Sequence, residues 1–159
     1  MAKIIVLYDS FTGNTEAMAK AVVEGAMQVK DVQVELYKVG TRFPMSILNS
    51  ADAIIAGSPN VYGNATSEMR SFVTSMAELA AAKKLVLKGK PAGVFGCYGW
   101  DGGWAVEMLA KSLRNTGMKI VLPMVSAPEK LGIKTEEEEL LLVECRKLGN
   151  VIASKIART

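Results

Sequence analysis

The segment Asp9-Ser10-Phe11-Thr12-Gly13-Asn14-Thr15 places three hydroxyls, a glycine and an amide between an apolar run and a helical pattern. The start of a helix carries unpaired N–H groups and the positive end of the helix dipole, which suits a phosphate. Ser10, Thr12 and Thr15 would add hydroxyl donors, and Gly13 would let the backbone approach closely. No Lys or Arg stands in this loop, so hydrogen bonds alone would hold the phosphate. A nucleotide P-loop requires Gly-x-x-x-x-Gly-Lys-Ser/Thr, and a dinucleotide fingerprint requires Gly-x-Gly-x-x-Gly. Neither is present. The plainer alternative is a helix cap supplied by Thr12 or Asn14.

Two further loops carry flat or flexible residues. Ser58-Pro59-Asn60-Val61-Tyr62-Gly63-Asn64 is rich in turn formers and holds a tyrosine. Gly96-Cys97-Tyr98-Gly99-Trp100-Asp101-Gly102-Gly103-Trp104 has four glycines and three large aromatics. Glycines free backbone amides to face a ligand, and aromatics offer surfaces to a planar ring. Tyr98 and Trp100 fit a ligand better than a core edge, whereas Trp104 fits either. A phosphate cradle beside two such loops suits a phosphorylated planar cofactor, and FMN is the natural candidate.

The chain contains no histidine. That excludes His-based metal sites, Ser-His or Cys-His nucleophiles and histidine acid–base catalysis. Cys97 and Cys145 form no CxxC pair and read as reduced thiols of a cytoplasmic protein. No apolar stretch reaches the ~18–20 residues of a membrane span. The apolar run before Asp9 is too short for a signal peptide. A net charge of +3 is too weak to argue for nucleic acid or an anionic membrane.

The elements that must position these loops follow from periodicity. With 159 residues, half of them apolar, a single domain spanning 1–159 is expected. Strands are predicted over Lys3–Tyr8, Gln33–Val39, Ala51–Gly57, Pro91–Cys97 and Lys119–Val125. Ser58-Pro59 should stop the third. Helices are predicted over Thr15–Gln28, Ser67–Ala82, Trp104–Thr116 and Glu136–Ile156, with a short helical piece at Ser46–Asn49. Inward stripes are expected at Met18, Val22 and Gly25; at Met69, Phe72, Val73, Met76 and Leu79; at Ala105, Met108, Leu109 and Ser112; and at Leu141, Cys145, Leu148 and Ile152. Strict β-α alternation implies an α/β fold, an open parallel sheet with helices on both faces. Ligands then bind beyond the carboxyl ends of the strands.

With these loops in view, the chain resembles the flavodoxin family over essentially its whole length. Ser10–Thr15 is similar to that family's T/S-x-T-G-N-T phosphate signature. Gly57-Ser58-Pro59 and Gly96-Cys97-Tyr98-Gly99-Trp100 resemble the flavodoxin-like domain of flavodiiron proteins. The resemblance implies a doubly wound five-stranded sheet of order 2-1-3-4-5, noncovalent FMN and one-electron transfer. It implies that Ser10, Phe11, Thr12, Gly13, Asn14 and Thr15 form the phosphate loop. Ser58, Pro59, Asn60, Val61, Tyr62 and Gly63 would lie on one side of the ring. Tyr98, Gly99 and Trp100 would line the other, with backbone from Cys97 through Asp101, Gly102 and Gly103 at the ring edge. The uninterrupted fifth strand resembles the short-chain type.

Departures from the flavodiiron pattern are Asn60 where Thr is usual, Tyr62-Gly63 in place of an Asn-rich stretch, and Cys97 in place of Ser. Without histidine, the chain lacks the iron ligands of a flavodiiron protein. It is then either a stand-alone carrier or one domain of a larger protein. The expected partners are redox proteins, with homo-oligomerisation left open. The rival readings are an FMN-dependent NAD(P)H reductase of a small acceptor and a flavin-free interaction module. Asp9, Arg42, Asp101, Glu129 and Lys130 make a mixed rim rather than an acidic one. Lys83, Lys84, Lys88 and Lys90 read as a solvated face at the opposite sheet end. Thr135 and Glu138 form a capping box, and Cys145 reads as an inert core thiol.

Overall fold

The computed structural model describes residues 1–99, 103–128 and 136–157. The strands are β1 (Ala2–Tyr8), β2 (Val32–Lys38), β3 (Ala53–Pro59), β4 (Pro91–Tyr98), β5 (Lys119–Ile120) and β6 (Val125–Pro128). The helices are α1 (Asn14–Met27), α2 (Ser67–Ala81), α3 (Trp104–Asn115) and α4 (Glu136–Ala157), with 3₁₀-helix over Met45–Ser50. The sheet is parallel in the order β2-β1-β3-β4-β5, and β6 also pairs with β4. This is the order that the family resemblance implied.

The two faces follow from strand alternation. Ile5, Leu7, Ile54, Ala56 and Val94 share one buried layer with Met69, Val73 and Met76 of α2 and Val106, Leu109 and Leu113 of α3. Ile4, Val6, Ile55 and Phe95 share the other with Met18 and Val22 of α1 and Cys145, Leu148 and Ile152 of α4. The sheet is thus buried on both sides, which explains the unbroken apolar strands. Burial pushes the Cys145 thiol up to about 12. Native protein at pH 8 should therefore leave Cys145 unalkylated by iodoacetamide until denaturant is added. Rapid native labelling at this position would contradict the packing.

The fifth strand departs from the sequence reading. It breaks after Ile120 and resumes at Val125 on β4. Pro123 sits in the break and has no N–H to give a ladder. β3 runs on through Pro59 instead of stopping before Ser58. Asn60 continues the pairing there, its N–H donating to the Cys97 carbonyl at 2.7 Å. The α3 stripe also has a different phase. Val106, Ala110 and Leu113 join Ala105 and Leu109 inside, while Met108 is exposed and Ser112 is half-buried. The α2 stripe is as expected, with Phe72 and Leu79 packed at its margin. Leu141, Thr135 and Glu138 were also assigned roles, but their side chains lie outside the described residues.

Lys83, Lys84 and Lys88 are exposed at the amino end of β4. Lys90 is not merely solvated. It is half-buried, its ammonium donates to the Asn49 carbonyl at 3.3 Å, and desolvation pulls its pKa down.

Candidate functional site

Register places the carboxyl ends of β1, β3 and β4 side by side, with Tyr8 opposite Gly57 and Gly57 opposite Phe95. β1 lies between β2 and β3, and the helices that follow β1 and β3 pack on opposite faces of the sheet, so a crevice opens between the loops that follow these two strands.

The loop after β1 ends at Gly13, whose φ of 95° is left-handed and which caps α1 without any side-chain acceptor. Thr12 and Asn14, the expected caps, do not fill that position. Gly13 N–H donates to Ser10 Oγ at 3.1 Å, and Asn14 Nδ2 donates to Thr12 Oγ1 at 3.2 Å. Phe11, Thr12 and Gly13 are exposed, and Ser10 and Asn14 are half-buried. Thr15 differs from the other hydroxyl residues: it is 1% exposed, and its Oγ1 meets Cys97 Sγ at 3.2 Å. At the base of the loop, burial raises the Tyr8 pKa, and the hydrogen bond to Glu16 raises it further.

Behind the loop lies a buried polar network that sequence reasoning missed. Asp9, placed on the rim by the sequence, is 4% exposed. Its Oδ1 accepts from Ser10 N–H at 2.9 Å, and its Oδ2 accepts from Thr66 Oγ1 at 2.6 Å. Thr66 Oγ1 accepts in turn from Met69 N–H and so caps α2. Thr66 N–H donates to Ser58 Oγ, which itself donates to the Pro59 carbonyl. The network ties the first loop to the second through the start of α2. One signal was legible: a threonine just before an apolar helical stripe is a preferred cap. Arg42 is exposed, whereas Asp101, Glu129 and Lys130 lie outside the described residues.

In the second loop, Ser58 and Pro59 are buried, and Asn60, Val61 and Gly63 are half-buried. Val61 and Asn64 exchange backbone hydrogen bonds around a two-residue turn. Tyr62 and Gly63 at its tip have φ of 49° and 80°. A non-glycine residue in this region costs about 1–2 kcal/mol, yet Tyr62 stands 90% exposed. Tyr62 thus presents its ring to solvent at the tip of the second loop.

The third loop begins at the buried Cys97 and the half-buried Tyr98, with Gly99 exposed. Trp100, Asp101 and Gly102 lie outside the described residues. Gly103 caps α3 with φ 79°, and a Cβ there would meet Ser126 Oγ at 2.6 Å and Tyr98 Cδ1 at 2.8 Å. A glycine offers α3 no side-chain cap. Asn60 does so from the second loop, its Oδ1 accepting from Ala105 N–H at 2.8 Å. Its other amide atom, Nδ2, is buried and has no hydrogen-bond partner among the described residues. Such an orphaned donor costs about 1–3 kcal/mol. Trp104 is 60% exposed, so it is not core. It lines a cleft of about 300 Å³ with Gly103, Val106, Glu107, Met124 and Ser126.

A flavodoxin family model matches residues 6–146. The chain belongs to the flavodoxin family. Among solved structures, a flavodoxin from the domain Archaea is 33% identical, with a TM-score of 0.82 over 98% of this chain and 99% of that one. Flavodoxin 1 from Bacillus cereus is 24% identical, with a TM-score of 0.77 over 97% of this chain and 98% of its own. A flavodiiron core from Synechocystis is 24% identical, with a TM-score of 0.80, but this chain spans 36% of its length.

The cofactor of this flavodoxin-family chain is FMN, and its role is electron transfer. The residues present fit the cofactor. Among the described residues, Cβ atoms built on Gly13, Gly63 and Gly99 would meet nothing within 4 Å, so these glycines leave space in all three loops. Gly13 at the amino end of α1 offers no capping side chain, and Asn60 Nδ2 is a buried donor with no partner among the described residues. Among the described residues, no helix is long and apolar enough to cross a membrane.

Proposed function

We propose that this chain carries electrons singly between redox proteins of a reducing, cytoplasmic compartment, using one noncovalent FMN. The observation that carries the reading is the open, left-handed Gly13 cap at the strand-end crevice, flanked by hydroxyls and an amide. In this reading Ser10, Thr12, Gly13 and Asn14 hold the phosphate, and Thr15, whose buried hydroxyl meets Cys97, contributes through its backbone N–H. Backbone N–H groups and the α1 dipole replace the cations that the loop lacks. Residues 58–63 flank one side of the ring, and Tyr98, Gly99 and Trp100 flank the other. The bound flavin would supply the redox chemistry. The protein supplies binding, orientation and exclusion of water. The reading requires no general acid, base or nucleophile from the chain.

Fluorescence titration of FMN with apoprotein tests this. Quenching should saturate at one FMN per chain. Riboflavin, lacking the phosphate, should bind about a hundredfold more weakly, the worth of two charge-assisted hydrogen bonds at about 1.5 kcal/mol each. Equal affinity for the two would remove the phosphate loop from the reading. Unquenched FMN would remove the flavin site altogether. Rapid NADH or NADPH consumption with an artificial acceptor would favour a reductase instead.

A further inference from the structure

Asn60 is held through both its backbone and its side chain. Its backbone N–H donates to the Cys97 carbonyl at 2.7 Å, at the end of β4. Its Oδ1 accepts from Ala105 N–H at 2.8 Å, in the first turn of α3. These two bonds reach both ends of the third loop from one residue of the second. They also remove any freedom to flip the amide. Ala105 N–H is a donor, so the oxygen must face it, and Nδ2 must face the other way. There Nδ2 is buried and lacks a partner among the described residues. Native proteins satisfy nearly all such groups, so one left unsatisfied between two binding loops needs a reason.

We infer that Asn60 is a positioning residue of the flavin site. This rests on the FMN reading above. Its Oδ1 and backbone N–H set the separation of the two loops that flank the ring. Its spare Nδ2–H is held for an acceptor on the polar edge of the flavin. A fixed donor that binding satisfies strengthens the bound state without reorganisation. A hydroxyl residue here could cap α3, but it could not cap and donate through two separate atoms.

The test compares wild type with Asn60→Asp. The carboxylate keeps an acceptor for Ala105 N–H and suits a helix amino end, but its second oxygen takes the buried Nδ2 position without a donor, so the apoprotein should fold with a modestly lowered melting temperature. It has no N–H to donate. FMN should therefore bind about tenfold more weakly. The visible flavin band and the midpoint potential should both shift from wild type. Affinity is measured at low and high salt, because repulsion from the added charge is screened and a lost hydrogen bond is not. A loss that persists at high salt supports the inference. Wild-type affinity, spectrum and potential in Asn60→Asp would overturn it, as would a loss that disappears at high salt. Should Asn60→Asp misfold, Asn60→Ala gives a second reading. It must weaken FMN and shift the band while the far-UV spectrum stays wild type, and unchanged binding again overturns the inference. Failure of the wild type itself to bind FMN would instead refute the flavin reading.

Discussion

Gly25→Ala should lower the melting temperature of the apoprotein by about 10 °C, from a loss of about 3 kcal/mol. The expectation runs against helix propensity, which favours alanine over glycine by about 1 kcal/mol in mid-helix. Packing decides the sign. A Cβ on Gly25 of α1 would lie 1.8 Å from the Arg146 carbonyl oxygen of α4. The contact is reciprocal along the two helices, since a Cβ on Gly149 of α4 would lie 2.0 Å from the Val22 carbonyl oxygen. Backbone oxygens cannot rotate away, so the helices must separate. Separation would loosen the layer that Met18, Val22, Cys145, Leu148 and Ile152 bury together. Gly149→Ala should cost a similar amount. Gly13→Ala is the control: it meets no atom and should cost only its left-handed backbone, about 1–2 kcal/mol. Thermal unfolding followed by circular dichroism ranks the three. A Gly25→Ala protein as stable as wild type would mean that α1 and α4 do not cross this closely.

Asp9→Ala should destabilise the apoprotein by about 3 kcal/mol and also weaken FMN binding. The carboxylate is buried and accepts from Ser10 N–H and Thr66 Oγ1. Hydrogen bonds to a charged group contribute about 1.5–3 kcal/mol each. Against this stands the relief of removing a buried charge, which reduces the sum of two such bonds to the expected figure. Asp9→Asn should be milder, at about 1 kcal/mol. One amide oxygen can still take Ser10 N–H, and the amide nitrogen can donate to Thr66 Oγ1, which has a lone pair to spare. The ordering wild type, Asn, Ala is measured by chemical denaturation. Because Thr66 also holds Ser58 and starts α2, the Ala variant should bind FMN more weakly even where it is fully folded. Unchanged FMN affinity in folded Asp9→Ala would show that the network supports the fold alone.

Much of this protein was legible from local pattern. The continuous Ile/Val/Leu strands, the stripe of Met69, Val73 and Met76, and the hydroxyl-rich loop opening α1 are one-dimensional signals. They survive folding because period and composition decide which face is buried. Strand order came from the family resemblance, whereas the register is visible only in the structure. The errors were also local. A proline inside an apolar run was outvoted by its neighbours, and the α3 stripe was assigned the wrong phase because Met108 outweighed Val106.

The links that build the site could not be read this way. Asp9 meets Thr66 across 57 residues, Thr15 meets Cys97 across 82, and Asn60 caps α3 across 45. Each depends on which strand ends lie side by side. By itself, the sequence determined three chemically distinct loops and an alternation that sends them to one end of a sheet. The tertiary structure decided which of their side chains stay exposed and which are consumed in holding the loops together. The reason is that a hydroxyl or amide reads alike in sequence whether or not a buried partner will reach it. Only the packed sheet brings that partner within hydrogen-bond distance.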